Sequence, residues 1–543
     1  MKHIDPKKIL SVLNLPAAWA GRDRYVIVLN DIADLAALLV VWIAWHEDSH
    51  RPRRLHFICM TSLVPSPVEW SRLAQQQMQD ASFDSWIEKL RRAWSLDVPG
   101  IQRVELEGQS VTLTWCVGSQ AKPDLLGAAV DSVLDTRDCD WGSCAEQNRH
   151  KLPQYDLQQA AVHPWSWAAR APAERHAMVV GAGFAGVGVA HSLALRGWRV
   201  TLLDQGWHRS GEHLHATHLA AALTPVASKD DNARARLSRA GTLIAHQRWQ
   251  HLDESIVSRC GALQLQRSSG RTKPLDEVVT TLGLSSRWIE HLSAEEASDR
   301  AGMTLGAGGI WYPLGCLVRP GLFLDALTQT PGVEVVSFAV DHILFDKGCW
   351  QAVDIEGHTM SAPLLVMANA GGIKPVLRNS DLWPEKGRLS QMHALAGQIT
   401  MIPSQWIGGG PRCIVGGDGY VLPEVNHWCV SGGTYVRGAT HAEITTKGVQ
   451  ENLARAVNLL SLKNDLDVYD PSALPGWAGW RAVLPGRLPA IGPLDGQEGL
   501  WVATGYASRG LTWSSLAGEL IAGFLESEPL LLEGDILSEI RLI

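Results

Sequence analysis

The feature that most constrains this chain is the segment 178–204, which reads as an apolar strand, a glycine loop, an amphipathic helix and a second strand ending in an acid. The glycines of the loop allow a sharp turn, a close approach of a pyrophosphate and tight packing of the helix on the sheet. The helix N-terminus offers its free N–H groups to phosphates. Asp204 stands where a carboxylate accepts hydrogen bonds from ribose hydroxyls. The segment predicts a dinucleotide-binding βαβ unit with contacts from Gly181, Ala182, Gly183, Phe184, Ala185, Gly186 and Asp204.

The length and the position of this unit predict more than one domain. The chain has 543 residues, and about a third of it precedes the βαβ unit. The stretch 152–175 is rich in Gln, Ala, Pro and Trp without clear periodicity, which is typical of a boundary. We therefore predict a domain over residues 1–165 and a second over residues 174–543.

Composition narrows the class of protein. The chain is 46% hydrophobic and 19% charged, and no apolar run reaches the length of a membrane span. The N-terminus shows no export signal, so we expect a cytoplasmic protein. Nine cysteines without a C-x-x-C pair favour reduced thiols over disulfides or zinc, and we expect no metal site. The net charge of −8 argues against a surface that is basic throughout.

A second strand, glycine-containing loop and helix follow near the end of the chain, over residues 500–523. Between the two units lie segments that predict inserted antiparallel strands, around Ile414 and Trp428. This order favours a flavoprotein amine oxidase over a nicotinamide dehydrogenase, with FAD as the cofactor. In that layout the late helix directs its N-terminus at the flavin, where negative charge gathers on reduction. The predicted contacts are Gly505, Ser508, Gly510 and Leu511.

Several collinear motifs resemble one family. From about residue 176 to 540 the chain is similar to the FAD-dependent oxidoreductase half of the bifunctional tRNA 5-methylaminomethyl-2-thiouridine biosynthesis proteins, in the D-amino acid oxidase and glycine oxidase superfamily. One loop departs from that pattern, because Ala216–Leu219 stands where the family has Ala-Ser-Gly-Asn. The matching segments are Gly181–Gly186, Leu223–Asp231, Gly309–Gly315, Ala368–Gly371, Ala396–Gln398, Asp418–Tyr420, Gly433–Gly438, Gly479–Arg481, Arg487–Gly492 and Ser508–Leu511.

The N-terminal part resembles the same family's methyltransferase half, which uses S-adenosylmethionine. Arg54–Cys59 is similar to one of its strands. The family's glycine-rich cofactor loop is replaced by Asn30–Ala36, which contains no glycine, and Thr61 stands where the family has an acid. We interpret residues 1–165 as a truncated, degenerate methyltransferase-like α/β domain in which binding of S-adenosylmethionine is doubtful.

The resemblance implies a reaction and a substrate. It implies FAD-dependent oxidation of the carboxymethylaminomethyl group on the wobble uridine of tRNA, a glycine attached through its nitrogen, to glyoxylate and a 5-aminomethyl nucleoside. Guanidinium groups bind carboxylates through two parallel hydrogen bonds. By resemblance, Arg481 and Arg509 are the carboxylate-binding residues, and Tyr420 and Tyr435 are candidates for hydrogen-bonding the substrate.

Two basic clusters are candidates for contacts with tRNA phosphates. The clusters are Arg234, Arg236, Arg239 and Arg248 in a predicted helix, and Arg51, Arg53 and Arg54.

Two other functions stay open. One is the oxidation of a free small amino acid such as glycine or sarcosine, and the other is a non-catalytic flavoprotein that scaffolds partners.

Overall fold

The computed structural model describes residues 5–29, 35–61, 64, 66–78, 80–94, 96–118, 130–134, 165, 171–207, 213–267, 274–462, 466 and 470–542. The chain forms two compact units, one of residues 1–166 with 523–537 and one of residues 167–522 with 538–543. No helix within these described residues is long and apolar enough to cross a membrane.

The first unit is built on a five-stranded sheet of order β3-β4-β2-β1-β5, in which only β3 runs antiparallel to its neighbour. Helix α2 is buried around most of its surface, which explains its continuous apolar sequence. Tryptophans such as Trp19, Trp42 and Trp115 fill this core. The elements are α1 (Pro6–Val12), β1 (Arg24–Leu29), α2 (Leu35–Glu47), β2 (Arg54–Thr61), α3 (Pro67–Met78), α4 (Asp84–Arg92), β3 (Gly100–Leu106), β4 (Val111–Val117) and β5 (Ser132–Leu134).

The segment Gly523–Leu537, from the end of the chain, belongs to this first unit. Its Glu528 is 1% exposed, and its carboxylate lies 2.5 Å from Nε of Arg54 on β2. Arg103 on β3 donates to the carbonyl of Pro529. Two arginines of this sheet therefore have partners that are remote in sequence.

From residue 171 on, the elements are β6 (His176–Val180), α5 (Phe184–Ala194), β7 (Arg199–Asp204), β8 (Ala221–Leu223), α6 (Ala233–Trp249), β9 (Val257–Ser258), β10 (Ala262–Leu265), α7 (Leu275–Leu282), β11 (Glu290–Leu292), α8 (Ala294–Ala301), β12 (Gly309–Tyr312), β13 (Cys316–Val318), α9 (Pro320–Thr328), β14 (Val333–Ser337), β15 (His342–Asp346), β16 (Cys349–Val353), β17 (Thr359–Ala362), β18 (Leu364–Met367), α10 (Ile373–Asn379), β19 (His393–Pro403), β20 (Ile414–Gly417), β21 (Gly419–Val421), β22 (Trp428–Gly432), β23 (Val436–Arg437), α11 (Thr446–Leu459), β24 (Gly476–Val483), β25 (Ala490–Pro493), β26 (Leu500–Thr504), α12 (Gly510–Leu525) and α13 (Gly534–Glu539).

A six-stranded sheet of order β14-β7-β6-β18-β26-β25 forms the core of the second unit. Its strands are parallel except β25, as expected of a Rossmann-type domain. Helices α5 and α12 approach closely, since a Cβ at Gly188 would lie 2.4 Å from the carbonyl oxygen of Ser514. The predicted βαβ unit and the late strand and helix are therefore neighbours in one sheet.

A nine-stranded sheet is inserted between the strands of this core. Its order is β11-β12-β10-β20-β21-β22-β19-β23, with β24 also paired to β19, and all pairs are antiparallel except β10 with β20. The turn around Asp418 joins β20 to β21. Three-stranded sheets β8-β13-β9 and β15-β16-β17 complete the unit. The predicted combination of a Rossmann-type domain and an inserted antiparallel sheet is confirmed.

Candidate active site

A cavity of about 930 Å³ opens at the carboxyl ends of β6, β18 and β26 and extends along the inserted sheet. Ligands of open α/β sheets bind at such an edge. The structure brings most of the predicted site residues to this cavity. They are Gly183, Phe184, Ala185, Gly505, Ser508, Gly510, Leu511, Tyr420, Tyr435, Arg481 and Arg509, whereas Gly181, Ala182, Gly186 and Asp204 do not line it.

The three glycines of the first loop meet different surroundings. A Cβ at Gly181, where φ is +101°, would lie 2.7 Å from Cα of Asn369, and a Cβ at Gly186 would lie 1.7 Å from the carbonyl oxygen of Gly181. A Cβ at Gly183 would meet no atom within 4 Å. Gly181 and Gly186 are therefore required by packing. Gly183 faces the open space where a pyrophosphate would lie at the N-terminus of α5.

Asp204 ties the end of β7 to this loop. Its carboxylate accepts hydrogen bonds from the backbone N–H groups of Ala182, at 2.7 Å, and Gly206, at 2.8 Å. Each carboxylate oxygen takes one of these donors and has capacity for a second. The contact with ribose hydroxyls stays a prediction.

Replacement of Gly183 by valine tests the fit of FAD to this loop. We expect the variant to contain no FAD, because the new side chain occupies the space of the pyrophosphate. It should unfold at the temperature of the FAD-free wild type, because it lacks the stabilisation that a bound ligand gives. Gly371 is the matched control, since among the described glycines it alone shares both the open surroundings and a φ outside the left-handed region. Absorbance spectra of the purified proteins give the flavin content. Normal FAD content in Gly183→Val would contradict the assignment.

The N-terminus of α12 forms the part of the wall next to the start of α5, since a Cβ at Gly510 would lie 2.9 Å from Cδ2 of Phe184. Arg509 precedes the helix, and its carbonyl accepts from the N–H of Trp513 at 3.0 Å. Gly510, Leu511 and Thr512 border the cavity in the first turn. The N–H groups of a first helical turn have no partner within the helix and carry partial positive charge. This wall therefore favours an anionic ligand or an atom that becomes negative during a reaction.

Two guanidinium groups face the same cavity. Arg481 on β24 donates to the carbonyl of Thr434 at 3.1 Å, and its Cζ lies 4.7 Å from the centre of the Tyr435 ring. Arg509 donates to the carbonyl of Thr224 at 2.7 Å. Burial and the nearby Arg234 lower the pKa of Arg509 to about 10, so it stays charged at neutral pH. Neither guanidinium forms an ion pair with a carboxylate of another described residue.

The two predicted tyrosines differ in environment. Burial raises the pKa of Tyr420 to about 12, so its hydroxyl keeps its proton at neutral pH. Tyr435 is 58% exposed, and its hydroxyl lies 3.2 Å from Oγ of Ser508. Both line the cavity. Their roles toward a substrate stay a prediction.

A stack of His215, His218 and Trp477 also lines the cavity and was missed from the sequence. The rings of His218 and Trp477 lie 4.2 Å apart and nearly parallel, at 7°. Nε1 of Trp477 donates to the carbonyl of Leu214 at 3.0 Å. The stack lies at the loop where the chain departs from its family, since His218 falls within Ala216–Leu219. The number of histidines in this loop was the only signal in the sequence.

The stack predicts a pH dependence of stability. Burial and neighbouring groups lower the pKa of His215 to about 4 and that of His218 to about 3, from the ordinary 6.5. In the unfolded chain these imidazoles take up protons below pH 6.5, whereas in the folded protein they do not, so stability falls as the pH drops from 6.5 toward 4. We expect His218→Gln to reduce the loss of unfolding temperature over this range. The exposed His393→Gln is the control, and equal pH profiles for both variants would contradict the expectation.

Three arginines of the two basic clusters are buried in ion pairs. Arg239 is buried and pairs with Asp231 at 2.8 Å, and Arg248 is buried against Glu519. Arg54 is likewise buried against Glu528. The prediction that these arginines contact tRNA phosphates is wrong, because their charges are neutralised inside the fold. Arg234, Arg236, Arg51 and Arg53 are exposed or half-buried.

The comparisons with known proteins agree with this geometry. Residues 176–523 match the DAO family, FAD dependent oxidoreductase. A protein of Ralstonia nicotianae, the tRNA 5-methylaminomethyl-2-thiouridine biosynthesis bifunctional protein MnmC, is 31% identical over 96% of this chain and 90% of its own length. The protein of that name from Thiobacillus denitrificans is 30% identical over 97% of this chain and 91% of its own length.

Solved structures share the fold of the second unit. Glycine oxidase from Geobacillus kaustophilus matches 68% of this chain and 99% of its own with a TM-score of 0.52 and 19% identity. Iminodiacetate oxidase from Chelativorans sp. BNC1 matches 67% of this chain and 98% of its own with a TM-score of 0.52 and 22% identity. The chain therefore belongs to the DAO family of FAD-dependent oxidoreductases and to the family of tRNA 5-methylaminomethyl-2-thiouridine biosynthesis bifunctional proteins, and its cofactor is FAD.

Proposed function

We propose that this chain oxidatively removes the carboxymethyl group from 5-carboxymethylaminomethyl-(2-thio)uridine at the wobble position of tRNA in the cytoplasm. The products are the 5-aminomethyl nucleoside and glyoxylate. The observation that carries the proposal is a cavity in which Arg481 and Arg509 present charges that no acid of a described residue neutralises. Because both guanidinium groups are half-buried and have lost part of their hydration, such a site favours an anion. The relatives' printed name supports a tRNA nucleoside as the molecule that carries it.

The reacting group is a secondary amine between the uridine methylene and a CH2 that bears the carboxylate. Arg481 and Arg509 would hold that carboxylate, each with N–H groups beyond the one bonded to a backbone carbonyl. The Tyr435 ring supports the Arg481 guanidinium from one side. Fixing the carboxylate at two positions orients the adjacent carbon, which lowers the entropic part of the barrier.

FAD would be held by the loops at Gly181–Gly186 and Gly505–Gly510 and would supply the two-electron acceptor for oxidation at this carbon. The substrate is thereby oxidised from amine to imine. Water then adds to the imine carbon, the C–N bond breaks, and the nitrogen leaves on the nucleoside as a primary amine. Because His215 and His218 stay neutral, they add no charge that competes for the carboxylate.

Oxidation of a free small amino acid, glycine or sarcosine, is the second candidate. The fold shared with glycine oxidase favours it. The reacting group of a free amino acid is that of the modified nucleoside, so it fits the same cationic cavity of this chain. A non-catalytic flavoprotein scaffold is the third. It would bind FAD without reduction by any amine.

Anaerobic mixing of the purified holoprotein with tRNA bearing the carboxymethylaminomethyl group, followed by flavin absorbance, separates the three. Loss of the oxidised flavin band with this tRNA, and not with tRNA that lacks the group, supports the proposal. Reduction by glycine or sarcosine alone would assign the chain to the free amino acids. If none of these amines reduces the flavin, the non-catalytic flavoprotein scaffold would be the remaining candidate function.

We infer further that the domain predicted over residues 1–165, which in the structure also includes Gly523–Leu537, lacks methyltransferase activity. Thr61 ends β2 at the carboxyl edge of the first sheet, where the resemblance requires an acid for ribose hydroxyls. Of the segment that replaces the glycine loop, residues 30–34 lie outside the described residues. Calorimetric titration with S-adenosylmethionine tests this inference, and micromolar binding would overturn it.

A further inference from the structure

Tyr435 joins two walls of the cavity at its outer side. Its ring centre lies 4.7 Å from Cζ of Arg481 on β24, and its hydroxyl lies 3.2 Å from Oγ of Ser508, in the loop that precedes α12. Tyr435 and Ser508 are exposed and also line the cavity, whereas Arg481 and Arg509 are half-buried. The contact between Tyr435 and Ser508 therefore lies on the solvent side of the two guanidinium groups.

The segment that carries Tyr435 is weakly held. Residues 435–438 are all exposed, and β23 pairs with β19 through two residues, Val436 and Arg437. Gly438 follows with a φ of +74°, which glycine adopts without strain. A short exposed strand that buries few apolar side chains opens locally at a small cost in free energy. Tyr435 can therefore turn away from the cavity while the rest of the sheet stays folded.

We propose that Tyr435 is a gate over Arg481 and Arg509. In the closed position its ring covers Arg481 and its hydroxyl bonds to Ser508, and it turns outward to let a small carboxylate reach the two guanidinium groups. The gate then closes again, which restores the support of Arg481 by the ring. The proposal rests on the proposed function for the carboxylate that passes the gate. It gives the Tyr435 hydroxyl the role of holding the gate closed instead of binding the substrate.

The test uses methoxyacetate, in which an ether oxygen replaces the amine nitrogen of the reacting group, so it carries the carboxylate but cannot form an imine. Stopped-flow absorbance of the flavin in the FAD-loaded protein gives the association and dissociation rate constants. We expect Tyr435→Phe to raise both rate constants about twofold to tenfold, the effect of losing a hydrogen bond that holds the gate closed. The dissociation constant should stay unchanged, because this bond is present with and without the ligand.

Ser508→Ala removes the same hydrogen bond from its other side, so it should raise both rate constants by a similar factor. The double variant should match the single variants, because the bond can be lost only once.

Tyr506→Phe is the matched control for these two gate variants. Tyr506 also lines the cavity, but its buried hydroxyl has no hydrogen-bond partner among the described residues. Both rate constants should therefore keep their wild-type values in this variant. FAD content and unfolding temperature are measured for every variant. If Tyr435→Phe or Ser508→Ala loses FAD, the other gate variant decides.

Several outcomes would overturn the gate. A higher dissociation constant in Tyr435→Phe with an unchanged association rate constant would assign the hydroxyl to binding of the ligand. Unchanged rate constants in both gate variants, an equal rise in Tyr506→Phe, or loss of FAD from both gate variants would also contradict the gate. If the wild type does not bind methoxyacetate, Arg481 and Arg509 are not a carboxylate site and the gate has no ligand to admit.

Flavin reduction by modified tRNA is measured separately, so that the gate and the proposed function are judged apart. Reduction by this tRNA, together with unchanged methoxyacetate kinetics in the gate variants, contradicts the gate alone. The expected methoxyacetate kinetics without reduction by this tRNA contradict the proposed reaction alone.

Discussion

Replacement of Arg481 or Arg509 by alanine is expected to lower the efficiency of flavin reduction while the protein keeps its FAD. Under the proposed function, each change would remove a charge-assisted contact with the substrate carboxylate worth roughly 2–5 kcal/mol, equivalent to roughly a thirtyfold to several-thousandfold loss. FAD content should hold, because neither guanidinium contacts the first glycine loop in the structure. Stopped-flow reduction with modified tRNA and with glycine measures the effect.

Arg267→Ala is the matched control for these variants. Arg267 also lines the cavity, but its guanidinium lies 3.5 Å from the Asp418 carboxylate and donates to the carbonyl of Gly417. It is therefore already paired, and its loss should change reduction little. Wild-type efficiency in Arg481→Ala or Arg509→Ala would remove that arginine from the mechanism, and loss of FAD would show that its role is structural.

Replacement of Glu519 by alanine is expected to destabilise the second unit by about 3–5 kcal/mol, the usual cost of breaking a buried ion pair from one side. Glu519 on α12 is 1% exposed and lies 2.6 Å from Arg196, and it also contacts Arg248 of α6. The change takes a carboxylate from two buried guanidinium groups. The denaturant midpoint of the FAD-loaded protein measures the effect, with the exposed Glu385→Ala as control. Equal midpoints for the two variants would show that water or a rearrangement replaces the lost carboxylate as the partner of both arginines.

The sequence allowed the cofactor half of the site to be predicted, because its signals are local. Gly181, Gly183 and Gly186 stand in one loop, and their spacing reflects the turn, the open space and the packing that the structure shows. In the same way, the strand, loop and helix over residues 500–523 predicted the part of the cavity wall at the N-terminus of α12. The strand-like segments around Ile414 and Trp428 predicted the inserted sheet, and the collinear motifs indicated the family.

What could not be predicted depends on contacts between remote residues. No local pattern pairs His218 with Trp477, which are joined only when the loop after β7 meets β24. The arginines of α6 were predicted to contact tRNA phosphates, but Arg248 is buried against Glu519, the single acid in the apolar sequence of α12. Arg54 stands in an apolar strand, and its partner Glu528 lies near the end of the chain.

The return of Gly523–Leu537 to the first unit has a consequence for how the protein is made. When the ribosome has completed residues 1–166, the carboxylate that will contact Arg54 has not yet been synthesised. The first unit can bind this segment only after nearly the whole polypeptide has been synthesised. A gene fragment that stops at the linker would encode this sheet without that segment, so we expect it to yield aggregated protein unless the missing segment is supplied as a peptide.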